Sequence, residues 1–336
     1  MKFLIAGFGS TGRRHLRNLQ ALGQREIVVY RTRRSTLPLD ELEGLPVEYD
    51  LEAALAHKPD AVLVCNPTAL HLEVAVPAAE AGCHLFIEKP VADSCQGVEA
   101  LRRALARGGG RLLVGFQFRF HPGLRQAARL ITEGALGEVV SASARWGEYL
   151  PDWHPWEDFR GSYAARADLG GGVVRTLCHP FDYLRWLVGE VESLWASTAK
   201  RSGWGLEVED TAEIGLNFAG GALGSVRLDY LRRPPLHTLE ITGTQGTLTW
   251  DNADGAARLY RAGAADPEVL APPPGFERNH LFLAEMEHFL QVVQGQAEPV
   301  CTLEDGLRAL EIAEGALRSA ETGALVRFDH GRMPEC

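Results

Sequence analysis

A glycine turn joins an apolar strand to a helix at the start of this chain, and little else constrains a fold so tightly. Residues 3–6 are Phe3-Leu4-Ile5-Ala6. They run directly into Gly7-Phe8-Gly9-Ser10-Thr11-Gly12, a G-x-G-x-x-G. Residues 13–22 then space Leu16, Leu19 and Leu22 at helical intervals. Strand, tight turn and helix in that order form the setting in which this motif binds a dinucleotide. Gly7 makes the turn, Gly9 lets main chain approach a pyrophosphate, and Gly12 lets helix and strand pack closely. The N–H groups at the helix start then meet the phosphates, with Phe8, Ser10 and Thr11 completing the loop.

The second strand, 26–30, decides which dinucleotide is expected. An NAD site has an Asp or Glu about 20 residues on, bonded to the ribose 2′-OH. Here the strand ends in Arg31-Thr32-Arg33-Arg34-Ser35, and Arg31 lies nineteen residues after Gly12. Guanidinium groups hold a 2′-phosphate through charge-assisted, two-armed hydrogen bonds. NADP(H) is therefore expected in preference to NAD(H), with Arg31, Thr32, Arg33 and Arg34 as its selective contacts. A solvated basic loop is the alternative.

A length of 336 residues implies two domains. The net charge of −10 disfavours nucleic-acid and membrane partners. The basic clusters are local: Arg13, Arg14 and Arg17, then Arg31, Arg33 and Arg34. Both flank the expected phosphate site. The apolar start is too short for a signal peptide, and no stretch reaches the ~20 apolar residues of a membrane span. The six cysteines form no C-x-x-C pair, so no metal site or disulfide framework is expected and a cytoplasmic location fits. Four lysines stand against thirty arginines. Lysine offers a compact ammonium that can titrate, which directs attention to Lys89.

Strands at 3–6, 27–30, 61–65, 84–88 and 112–116 alternate with helices at 13–22, 51–56, 70–81 and 94–106. That alternation predicts a doubly wound parallel sheet of the Rossmann kind. Ligands of such sheets bind at the carboxyl ends of the strands. After residue 120 the pattern changes. A helix at 122–133 leads to a long strand at 137–149 and an aromatic loop, Trp153-His154-Pro155-Trp156. Gly170-Gly171-Gly172 opens a helix at 173–188. Runs at 191–199, 208–218, 222–230, 236–242 and 247–250 predict an antiparallel sheet. Helices at 278–294 and 303–321 close the chain. The expected domains are 1–119 for the dinucleotide and 120–330 for substrate and oligomerisation, with a tail at 331–336.

Five segments then stand in a telling order: the glycine turn, Asn66-Pro67-Thr68-x-x-His71, Glu88-Lys89-Pro90, Gly115-Phe116-Gln117-x-Arg119-Phe120-x-Pro122, and 170–182. This set resembles the Gfo/Idh/MocA oxidoreductase family over nearly the whole chain. The resemblance implies an α/β fold: a Rossmann domain plus an α/β domain with an open, mostly antiparallel sheet. It also implies a homodimer or homotetramer through the exposed face of that sheet.

The family's catalytic lysine falls on Lys89, whose ammonium would lie beside the nicotinamide and stabilise an alkoxide. Its general acid/base falls on His179. The family often has Asp one helical turn before that histidine; this chain has Arg175. Two readings of Arg175 stand. It binds an anionic substrate group together with Arg119 or Arg160, or it pairs with Asp168 or another acid. Asp182, three residues after His179, is either its orienting carboxylate or half of a structural ion pair. Asn66, Pro67, Thr68, His71 and Glu88 are expected beside the cofactor, with a helix cap as the other role for Thr68. Trp153, Trp156 and Tyr163 read equally as a wall for a sugar ring or as interface or core residues.

The resulting expectation is an NADP-dependent oxidoreductase. It moves hydride between the nicotinamide and a secondary alcohol or ketone of a sugar, a sugar derivative (anionic and nucleotide-linked ones included) or a cyclitol. Two other classes stay open: a non-catalytic NADP-binding sensor, and an enzyme whose tightly held cofactor assists an elimination.

Overall fold

The computed structural model describes residues 1–32 and 40–329. The chain divides into two compact units, 1–117 with 277–307 and 118–276 with 308–329. The division is not the single cut after residue 119 read from sequence, because a late helical segment packs with the first unit.

In the first unit the elements run β1 (Lys2–Ala6), α1 (Ser10–Ala21), β2 (Glu26–Tyr30), β3 (Val47–Glu48), α2 (Leu51–Ala56) and β4 (Ala61–Val64). They continue through α3 (His71–Glu80), β5 (His84–Glu88), α4 (Val98–Gly108) and β6 (Leu112–Gly115). Among the described residues they build a six-stranded sheet in the order β3-β2-β1-β4-β5-β6, every neighbouring pair parallel. Helices cover both faces of such a sheet, so its inner strands are apolar throughout. Phe3, Leu4, Ile5 and Ala6 of β1 and all four residues of β4 are fully buried. The short strand β3 was not visible in the sequence; two residues give no periodicity to read.

The second unit contains α5 (Pro122–Thr132), β7 (Val139–Tyr149), α6 (Val173–Thr176), α7 (His179–Val188), β8 (Val191–Ala199), β9 (Thr211–Phe218) and β10 (Leu223–Asp229). Then come β11 (Leu231–Gly243), β12 (Gly246–Asp251), β13 (Ala257–Arg261) and β14 (Glu268–Leu270). The chain ends with α8 (Arg278–Val293), α9 (Leu303–Thr322) and β15 (Val326–Arg327). The described strands form a nine-stranded sheet, β14-β13-β12-β11-β7-β10-β9-β8-β15. It is antiparallel except where β7 meets β10 in parallel. The aromatic loop, two helices and the strands β8 and β9 lie between β7 and β10 in the chain and supply the long connection that a parallel pair needs. Side chains alternate: Ala142, Ala144 and Trp146 are buried, while Arg145, Glu213, Ser225 and Arg227 on the other face are exposed.

The helix α8 belongs with the first unit because of what its apolar residues touch. Phe289 lies edge-on to Phe86 of β5 at 5.6 Å. The Arg14 guanidinium sits 4.1 Å above the ring of Phe282. Asn279 donates to Asn18 of α1 at 3.0 Å. Burial of one phenylalanine is worth about 1.5–3 kcal/mol, enough to commit such a helix.

Candidate active site

The glycine turn follows β1. Gly7 has φ +97°, which side-chain-bearing residues rarely adopt, and a β-carbon there would stand 2.5 Å from the Asn66 nitrogen. A β-carbon on Gly12 would stand 2.1 Å from the Gly7 carbonyl oxygen. A β-carbon on Gly9 would meet nothing within 4 Å. Two glycines are thus required by the fold itself, and the middle one keeps a strip of main chain open. The helix α1 starts at Ser10, earlier than the sequence suggested, so Ser10, Thr11 and Gly12 form its first turn. That turn has no side-chain cap and no acidic residue. Phe8 has only main chain to offer a ligand, since its ring is buried beneath the Arg13 guanidinium at 4.7 Å.

The strands β1, β4 and β5 are parallel neighbours, so their carboxyl ends share one edge of the sheet. Gly7, Asn66 and Lys89 all follow those ends. Asn66 donates through Nδ2 to the Leu70 carbonyl at 2.8 Å, while its Oδ1 is buried without a hydrogen-bond partner in the protein. Thr68 is buried and opens a short 3-10 turn, Thr68–Leu70; it is not the cap of α3, a position held by Leu70. His71 was expected beside the cofactor. It is instead buried, with ring nitrogens 3.0 Å from the Asn66 carbonyl and 3.3 Å from that of Val91. Burial lowers its pKa. Glu88 also turns inward: one oxygen meets His15 Nε2 at 2.7 Å and the other accepts the Lys89 main-chain N–H at 3.3 Å.

At the end of β2, Arg31 is buried at 6% exposure and its Nε donates to the Thr32 carbonyl at 3.3 Å, while Thr32 is exposed. Arg33 and Arg34 lie outside the described residues. Sequence reading missed Glu41. Its carboxylate takes Arg13 at 3.1 Å and Arg17 at 2.6 Å, and these bonds hold it below the usual carboxylate range, the Arg17 bond most of all. The acidic run Asp40-Glu41 after the arginines was the signal available.

In the second unit the helix expected over 173–188 is broken. α6 ends at Thr176 and α7 starts at His179. Pro180 has no N–H to donate, and its ring collides with the carbonyl four residues back. Arg175 is therefore not one turn before His179 on a shared helix. The pairing of Arg175 with Asp168 is also absent, because Asp168 is taken by Arg166. Among the described residues Arg175 forms no ion pair within 4 Å, and its Nε is buried without a hydrogen-bond partner in the protein. Glu209 feels its charge, yet burial raises the Glu209 pKa.

His179 is 1% exposed. Its ring packs against Phe118 at 4.9 Å and Trp146 at 5.4 Å. Trp146 stacks in turn on His237 at 4.2 Å. The Tyr183 hydroxyl and His237 Nε2 share a hydrogen bond of 3.2 Å. Burial lowers the His237 pKa well below its ordinary value and takes His121 down to about 4. Neither phenylalanine spacing nor strand alternation marked Phe118 and Trp146 as neighbours of His179, or His237 as the ring stacked on Trp146. Arg119 binds Asp182 with two arms, Nε and a terminal nitrogen at 3.0 and 2.7 Å. The two are committed to each other in this structure. Arg160 is exposed, pairs with Asp158 at 3.4 Å and lies over Phe159. The aromatic residues do not form one wall. Trp153 packs on Tyr230 at 5.7 Å, Trp156 is 63% exposed beside His154, and Tyr163 is half-buried.

Comparison with known proteins decides the family. Residues 1–116 match the oxidoreductase family model with an NAD-binding Rossmann fold, and 124–249 match the GFO/IDH/MocA C-terminal domain. The chain belongs to the Gfo/Idh/MocA family. It is 29% identical to D-xylose 1-dehydrogenase (NADP(+)) 2 of Haloferax volcanii, across 88% of this chain and 89% of that protein. It is 27% identical to myo-inositol 2-dehydrogenase of Thermotoga maritima, across 98% of this chain and 99% of that one. The structure of GenD2 from gentamicin A biosynthesis, in complex with NAD, superposes with TM-score 0.82 at 26% identity, covering 98% of this chain and 96% of that one.

Membership makes this chain an NAD(P)-dependent oxidoreductase with an NAD(P)-binding Rossmann domain. The residues present fit such a group. The open main chain at Gly9, the uncapped start of α1 and the orphaned Asn66 Oδ1 each offer what a dinucleotide takes up. Among the described residues no helix is long and apolar enough to cross a membrane.

Proposed function

We propose that this Gfo/Idh/MocA protein is an NADP-preferring dehydrogenase or reductase of a sugar, sugar derivative or cyclitol. The observation that carries the reading is the sheet edge where the glycine turn, Asn66 and Lys89 follow neighbouring strands. The bound dinucleotide supplies hydride transfer at its nicotinamide. Gly7, Gly9, Ser10, Thr11, Gly12, Asn66, Pro67 and Thr68 hold it, through the main chain wherever side chains are buried. Lys89 binds the reacting oxygen and stabilises negative charge on it. His179 takes or returns the hydroxyl proton. The names of the Haloferax and Thermotoga relatives support a sugar or cyclitol substrate.

Arg175 adds specificity. A buried guanidinium nitrogen without a partner favours an anionic substrate group, since such a donor gains most from a carboxylate or phosphate. NADP preference rests on Arg31 and Thr32, on the missing acid at the end of β2, and on the NADP-dependent Haloferax relative. The exposed sheet face is the surface through which a homodimer or homotetramer forms, and its cysteine usage suits a cytoplasmic protein.

Titration of purified protein with NADPH and NADH, followed by nicotinamide fluorescence, tests the cofactor reading. Binding of NADPH about tenfold tighter, ~1.4 kcal/mol, upholds it. Equal binding removes the preference for NADP. A screen of neutral and acidic sugars with the preferred cofactor then tests the substrate class. Turnover of neutral sugars alone rejects the role of Arg175.

A further inference from the structure

His15 connects the cofactor helix to Lys89. It lies three residues after Gly12 on α1 and is fully buried. Its Nε2 is 2.7 Å from Glu88 Oε1. Glu88 Oε2 accepts the main-chain N–H of Lys89 at 3.3 Å. The ring of His15 is fixed edge-on by Phe86 at 4.9 Å, and Phe86 is fixed by Phe289 of α8 at 5.6 Å.

Proton positions follow from the surroundings. Burial by itself would raise the Glu88 pKa, but the His15 bond and the charges of Lys89 and Arg14 outweigh it and lower it. Glu88 is thus a carboxylate at neutral pH, an acceptor only, and His15 Nε2 carries the hydrogen. His15 Nδ1 is buried without a hydrogen-bond partner in the protein.

A purely structural His–Glu bond would need only one carboxylate oxygen. Here the second oxygen is spent on the main chain of Lys89. We propose that His15 is a positioning residue that acts through Glu88 to fix where the Lys89 ammonium sits. The inference rests on the reading of Lys89 as the residue that binds the reacting oxygen.

The small number of lysines makes a direct test practical. Reductive methylation of the full-length protein with ¹³C-formaldehyde labels the α-amino group and Lys2, Lys58, Lys89 and Lys200, and Lys89→Arg assigns the Lys89 signal. With NADPH bound, His15→Phe should shift and sharpen the Lys89 resonance while the other three stay in place. His15→Gln, which restores an N–H donor, should return it. Should His15→Phe not fold, Glu88→Gln reads the same connection and should move Lys89 likewise. An unmoved Lys89 signal in either folded variant overturns the inference, as does failure of His15→Gln to restore it. Turnover retained in Lys89→Ala is the separate outcome that removes the reading of Lys89 itself.

Discussion

Arg119 and Asp182 form a two-armed ion pair with side chains only 10% and 1% exposed. Both were sequence candidates for substrate binding, and the structure binds them to each other. Removal of one partner strands a buried charge. Asp182→Ala should lower the stability of the second unit by about 3–5 kcal/mol. Arg119→Met combined with Asp182→Leu should lose much less. Urea unfolding of the two variants checks this, and equal losses in the single and the double variant would sink the idea.

Gly9 and Gly12 separate binding from folding. Gly9 has φ −82° and open space where a β-carbon would go. Gly9→Ala should therefore fold normally but bind NADPH at least tenfold more weakly, because the methyl fills the cradle. Gly12→Ala meets the Gly7 carbonyl and should lower the melting temperature itself. Melting curves and cofactor titration distinguish the two.

Lys89→Ala and His179→Ala should each reduce kcat by about 10²–10⁴. Neither should alter NADPH affinity more than about threefold, ~0.6 kcal/mol. A rate within a factor of about 3 of wild type in either variant removes that residue from the chemistry. Steady-state kinetics with fluorescence titration reads both quantities.

Glu41 neutralises Arg13 and Arg17, the first of which lies just past the glycine turn. Glu41→Gln should remove a negative charge from Arg13 and Arg17, beside the expected 2′-phosphate. NADPH binding should tighten several-fold at low salt, with little change for NADH. The gain from Arg17 should shrink as salt rises, since its side chain is exposed and exposed charges are screened. Isothermal calorimetry at two salt concentrations measures it; equal gains for both cofactors would remove the link to the phosphate.

His121 carries a pH dependence. Its folded pKa is about 4 because burial disfavours the imidazolium. Above pH 6.5 both states are neutral and nothing is contributed. Between pH 6.5 and 4 only the unfolded chain takes up the proton, so stability falls as pH falls, by about 3 kcal/mol in all. His237 and His71 are lowered in the same direction. His121→Asn keeps a side-chain acceptor for the Gly123 N–H at the start of α5 but does not titrate. Its denaturation midpoint should vary less between pH 5 and 7. An unchanged slope would rule His121 out.

Much of this fold was legible before any coordinates. The alternation of short apolar strands with amphipathic helices is a local signal, so β2, β5, α2 and β8 fall where the residues alone put them. The glycine turn was legible for the same reason: its glycines answer to atoms a few residues away. Contacts between distant segments left no such trace. The return of α8 to the first unit, the parallel join of β7 to β10, and the break at Pro180 between Arg175 and His179 depend on what surrounds each segment. So do the partners of charged groups. A sequence shows that Arg119, Asp182, Arg13 and Glu41 exist, but ion pairing acts over a few ångströms of space, and residues 63 and 28 positions apart become neighbours only on folding. Residue type and local spacing determined the fold class and the cofactor loop; tertiary packing alone decided which of its candidate side chains were already spent on one another.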